Sequence, residues 1–153
     1  MTTSPTNPHS RPEETEHHEI DRLGQDLRRN AAVIPRRPQL DWIRQIRSQF
    51  ECFRTRMKQH LAWEEERGYL QVVLDRRPTL SGRLENLRTE HLDLCLLLDE
   101  LSRIAERMTP ERLLLVRDFC NRAGDLIGYI EHHESEENDL LEFVFSHDIG
   151  TKD

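Results

Sequence analysis

The chain has 153 residues, 35% of them apolar and 33% charged, and 29 acidic side chains against 22 basic ones give a formal net charge of -7. That is enough chain for one domain with a core of its own, and it lacks the basic field that nucleic-acid phosphates or an anionic membrane surface would demand. Aromatic residues reach only 6%, alternating β-branched runs are nearly absent, and no apolar run approaches the roughly 18 residues of a membrane span. The expected class is all-α and the expected compartment is the cytoplasm, since the N-terminus has no hydrophobic leader segment. Cys52, Cys95 and Cys120 are odd in number and have no CxxC spacing. They read as reduced core residues, not as a disulfide framework or a thiolate zinc site.

Pro5, Pro8 and Pro12, in Ser/Thr/Asn-rich surroundings, mark residues 1–12 as a disordered arm. The periodic sequence from 13 to 147 is the expected domain, with a short tail over 148–153. Ile20, Leu23, Leu27, Ala31 and Ile34 recur at helical steps until Pro35 and Pro38 stop them. A second helix carries Ile43, Ile46, Phe50, Phe53 and Met57 and should run to Gly68 or a little past it, before "DRRPT". Leu84, Leu87, Leu94, Leu97, Leu98, Leu101 and Met108 mark a third. "TPE" at 109–111 then predicts a Thr109 N-cap with Pro110 at the first helical position. The fourth helix carries Val116, Phe119, Ala123, Leu126, Ile127, Ile130, Leu141 and Val144. Four helices with short connections predict an up-down-up-down four-helix bundle.

At 100° per residue each helix turns one histidine inward. With Ile130 at the centre of the fourth stripe, His133 falls about 60° from it and Glu137 about 20°, while His132 faces away. His60 and Glu64 take the same angles around Met57, so both helices carry His-x-x-x-Glu on the buried side. His91 and His17 lie about 60° from Leu94 and Ile20, and His18 faces out. The pattern also repeats along the chain: Glu16, His17, Ile20, Leu23 and Leu27 match Glu90, His91, Leu94, Leu97 and Leu101. The chain therefore reads as two helical hairpins of one design.

One inward histidine is most simply a satisfied core residue. Four in register, two with a carboxylate one turn later, point to a metal. Buried carboxylates cost several kcal/mol each when unpaired, and a cation removes that cost. His17, His60, His91, His133, Glu64 and Glu137 could serve two ions bridged by both carboxylates, and imidazole with carboxylate suits iron, manganese or zinc.

"HLAWEEERGYL" and "HESEENDLL", each following a helix that begins Glu-His, resemble the bacterial hemerythrin-like proteins with an HHE cation-binding domain. The resemblance spans roughly residues 13 to 146. It implies a four-helix bundle with a non-haem di-iron centre, two iron ions under an oxo or hydroxo bridge, with zinc or manganese as the alternatives. His17, His60, His91 and His133 would be terminal ligands, and Glu64 and Glu137 bridging carboxylates. The sequence departs from the oxygen-carrying members of the family. Cys95 stands where they have a second third-helix histidine, and the last carboxylate follows at four residues as Glu instead of at five as Asp. Fewer protein ligands leave a position for water, dioxygen, peroxide or nitric oxide, which favours redox reactivity or sensing over reversible carriage.

Glu16 and Glu90, about 40° from their helix centres, are candidate acceptors for a ligand imidazole, and Tyr69 is a weaker one. Glu65, Glu66, Glu134 and Glu136 read as solvated rim charges, His9, His18, His132 and His147 as surface, and Trp42 and Trp63 as packing. Three functions fit these residues: a di-iron protein that binds or senses dioxygen, reactive oxygen or nitrogen species, or iron; an iron- or oxygen-responsive module read by a protein partner; and a metal-free or zinc-bound structural bundle. No turnover reaction is assigned. The expected partner is a small diatomic or peroxide, with no nucleic acid and no membrane.

Overall fold

A computed structural model describes residues 12–150, leaving aside the side chains of residues 12–15, 67, 69–70 and 147–150. The helices are α1 (Pro12–Ala32), α2 (Leu40–Arg67), α3 (Tyr69–Arg76), α4 (Ser81–Arg107) and α5 (Leu113–Gly150), with a single 3-10 turn at Pro78–Leu80 before α4. No strand occurs among the described residues, and no helix there is long and apolar enough to cross a membrane. Helix α1 packs on α2 and α5, and α4 packs on the same two, while across the diagonals the described residues meet through side chains and not through close backbone approach. The four long helices thus form the expected bundle. The arm expected over 1–12 falls outside the described residues except at Pro12, as do His9 and the side chains of Tyr69 and His147, and α5 continues to Gly150.

The apolar stripes read from the sequence are the ones that pack. Ile20, Leu27, Ile43, Ile46, Phe50, Phe53, Met57, Leu94, Leu98, Phe119, Ile127 and Ile130 are buried in one cluster, where the Phe50 and Phe119 rings meet edge to face at 5.3 Å. Leu141 is only half-buried, and Leu140 takes the core position beside Val144. Cys120 is buried and Cys95 half-buried, but Cys52 is exposed, on the outer face of α2. The expectation that all three are core residues fails at Cys52.

One helix end falls where the sequence reading put it and one helix start does not. Gly68 adopts φ 61, and its N–H bonds back to the carbonyl of Glu65, a left-handed cap that ends α2. What looked like a continuation is the separate helix α3, whose first turn hangs on the Gly68 carbonyl. At 109–112 the Thr109 carbonyl accepts the N–H of Arg112, so Pro110 sits at the second position of a tight turn, a place its fixed φ also suits. Helix α5 therefore starts at Leu113, not at Pro110.

These ends decide where the polar residues lie. A second apolar cluster of Val73, Leu84, Leu87, Leu140 and Val144 closes one end of the bundle. Both α4 and α5 place their polar residues, His91 on one and His133 with Glu137 on the other, between a main-core stretch and a second-core stretch, in opposite chain order. Among the described side chains none of α1 belongs to the second cluster, and Val73 of α3 does. The turn at Gly68 is what folds α3 back, so the histidines lie in a polar layer between two apolar ones.

Candidate metal centre

His60, Glu64, His91, His133 and Glu137 are all buried, each no more than 5% exposed, while His17 is half-buried. Helices α2 and α5 deliver their pairs by the same device, residues four apart on one face. Glu64 Oε1 lies 2.7 Å from His60 Nε2, and Glu137 Oε1 lies 2.6 Å from His133 Nε2. The pairs also interlock between helices. His91 Nε2 is 2.6 Å from Glu137 Oε1 and 3.1 Å from Glu64 Oε2, and the His17 and His60 rings are 4.4 Å apart. All six sequence-predicted ligands meet in this one layer.

The donor atoms fall into two groups. Glu64, His91, His133 and Glu137 can each bring one atom within 4.8 Å of all the others, and so can His17, His60 and Glu134. Glu64 links the two, with one oxygen toward His60 and the other toward His91.

The contacts are short yet poorly directed. His60 Nδ1 and Nε2, Glu64 Oε2, His133 Nε2 and Glu134 Oε1 are buried without a hydrogen-bond partner, although His60, His133 and Glu64 each have an opposite-type atom about 3 Å away. Donors arranged around a common point give this pattern, because ligands about 2.1 Å from one ion and at right angles lie about 3 Å from each other. A bundle interior tolerates orphaned polar atoms badly, at about 1–3 kcal/mol each. The donor set fits a divalent cation.

Outside the candidate donor atoms, two carboxylates reach the far nitrogens of two imidazoles. His133 Nδ1 lies 2.6 Å from Glu90 Oε2, and His91 Nδ1 lies 2.8 Å from Glu65 Oε1. Glu90 is where its angle on α4 suggested. Glu65, read from the sequence as a rim charge, is exposed but holds this bond. Glu16 is half-buried and its charge acts on His60. His18 and Glu66 are exposed, and His132 pairs at the surface with Glu136 at 3.1 Å. Trp63 stacks on His60, with ring centroids 6.2 Å apart.

Glu134 is a second rim-charge reading that the structure corrects. Its side chain is 16% exposed, 4.0 Å from His60 Nε2, and burial pushes its carboxyl up to about 7. The signal was present: Glu134 follows Ile130 by four residues, about 40° from the inward centre, the angle that singled out Glu16 and Glu90. Its place in an acidic run hid it.

Burial acts to lower the imidazoles, but the carboxylates prevail. His91 is raised to about 10 by Glu137 and Glu64, and His60 and His133 are also raised by theirs. Glu137 is held down to about 2, its burial outweighed by His133 and His91. In the absence of a cation these carboxylates favour the protonated form of His91, His60 and His133, and a metal ion competes with those protons.

A family model described as "Hemerythrin HHE cation binding domain" matches residues 13–145. The chain belongs to the hemerythrin family. Searches of curated proteins and of solved structures returned no match. The family match and the His/Glu layer agree on cation binding, and the HHE region covers all four long helices.

Proposed function

We propose that this hemerythrin-like chain holds two iron ions in the His/Glu layer and uses them to bind or sense dioxygen, a reactive oxygen or nitrogen species, or iron itself. The observation that carries the reading is the convergence of buried, misdirected donor atoms on two neighbouring points. Imidazole and carboxylate without thiolate suit iron, and Cys95 belongs to neither donor group. Iron would supply a change of oxidation state and open coordination positions for a small diatomic or a peroxide. The chain's part is to hold those positions dry between two apolar cores, to tie the halves together through Glu64, and to fix the rings of His91 and His133 through Glu65 and Glu90.

The test is anaerobic ferrous loading of tag-free protein, followed by admission of air, peroxide or nitric oxide under absorption spectroscopy. The reading expects near-ultraviolet bands on exposure to air and a separate spectrum with nitric oxide. An iron-loaded protein indifferent to all three would overturn it and leave a structural metal.

A further inference from the structure

The two halves of the layer are built differently. The half made by Glu64, His91, His133 and Glu137 has four donors, all buried. Both of its imidazoles are oriented from behind by carboxylates, Glu65 on His91 and Glu90 on His133. Such partners fix the ring, select the tautomer that presents Nε2 as a ligand, and raise its basicity. The half made by His17, His60 and Glu134 has three donors beside the shared Glu64, and two of the three are only half-buried. The far nitrogen of His60 has no hydrogen-bond partner among the described residues, so no carboxylate there orients that ring as Glu65 and Glu90 orient the other two. Trp63 stacks on its face instead.

Access divides the same way. A crevice of about 20 Å³ between α1 and α5 has Glu134 in its wall together with Ile20, Gly24, Phe53 and Ile130. That is room for one water-sized molecule. The larger groove on the other side, about 240 Å³, is lined by Glu90 and His133. In its wall His133 Nδ1 and Glu90 are already paired with each other.

Resting on the metal-binding reading above, we propose that the halves are unequal and fill in order. The Glu64/His91/His133/Glu137 half takes a divalent cation first and keeps it. The His17/His60/Glu134 half takes a second, exchangeable cation. Glu90 and Glu65 are the positioning residues that create the difference.

The experiment is an anaerobic titration of the full metal-free chain with manganese(II), followed by electron paramagnetic resonance, with affinities taken from chelator competition. Ordered filling gives the spectrum of isolated ions up to one equivalent, and loss of that signal through spin coupling as the second ion arrives. His17→Ala should keep the first step and lose the second. Glu90→Gln should weaken the first step by about 10- to 100-fold and Glu90→Ala by more, because the amide keeps a hydrogen bond but not the charge. Helical circular dichroism checks that each variant is folded, and the wild-type titration needs no variant.

Coupled spectra from the first additions, equal weakening of both steps by His17→Ala, or an unchanged first step in the Glu90 variants would overturn the ordering while leaving metal binding intact. A chain that binds no manganese and no iron removes the metal-binding reading and the ordering together.

Discussion

Raising the pH should weaken the metal-free protein and strengthen its hold on metal, so that the two thermal stabilities diverge. His91 goes from an ordinary 6.5 to about 10 in the fold, because Glu137 and Glu64 outweigh the effect of burial. A folded value above the unfolded one means stability that is complete below about pH 6.5 and is lost as the pH climbs toward 10. At about 1.4 kcal/mol for each pH unit, the loss from His91 between pH 6.5 and 9 is on the order of 3 kcal/mol. For a chain of this size that is a fall in Tm of about 10 °C. His60 and His133 are raised as well and act in the same direction. The low value of Glu137 is the other face of the same ion pair, and its own contribution fades only in acid, toward about 2. A bound cation replaces the imidazole protons, so its stabilisation grows with pH. The assay is thermal unfolding by circular dichroism from about pH 6 to about pH 9, once with chelator and once with two equivalents of manganese(II). A metal-free Tm that stays level or rises across this range would refute the claim that these carboxylates hold the imidazoles protonated.

Other outcomes follow from single contacts. His132 is 74% exposed and His133 only 2%, so His133→Ala should lower metal content and Tm together while His132→Ala changes neither; elemental analysis of both variants decides whether the register of α5 is right. Gly68→Ala places a side chain at φ 61 and should cost about 1 kcal/mol, read as a lower midpoint in urea. Arg47 donates to the carbonyls of Ala105 and Met108, at 2.8 and 3.0 Å, where α4 ends. Arg47→Ala should therefore cost about 1–3 kcal/mol through the two lost charge-assisted hydrogen bonds, although the Ala105 carbonyl keeps the Met108 N–H, with metal content unchanged.

The bundle was legible because its helices obey one period from end to end. Ile43, Ile46, Phe50, Phe53 and Met57 were placed by spacing alone, and all five are buried. The same arithmetic set His133 inward and His132 outward. The unread helix α3 and the misplaced start of α5 had a common cause, since a sequence shows which residue can end or start a helix but not which competing hydrogen bond wins. Gly68 could have been tolerated inside a helix, and Pro110 could have opened one. In the fold the left-handed cap and the tight turn prevail. Glu134 and Glu65 were harder for a different reason. They lie in acidic runs where solvated and inward carboxylates look alike, and only the approach of a neighbouring helix's imidazole separates them. Exposed Cys52 shows the limit of composition, because cysteine's general preference for burial says nothing about which face of α2 it occupies.

The central claim is that the polar layer between the two cores is a metal centre. The most direct measurement is elemental analysis of tag-free protein, as purified and after anaerobic ferrous reconstitution, beside His60→Ala and Glu64→Ala prepared in the same way. The account predicts two metal ions per chain, iron after reconstitution, with clear loss in both variants. A folded wild-type chain without metal under either condition, or variants that keep their full complement, would contradict it.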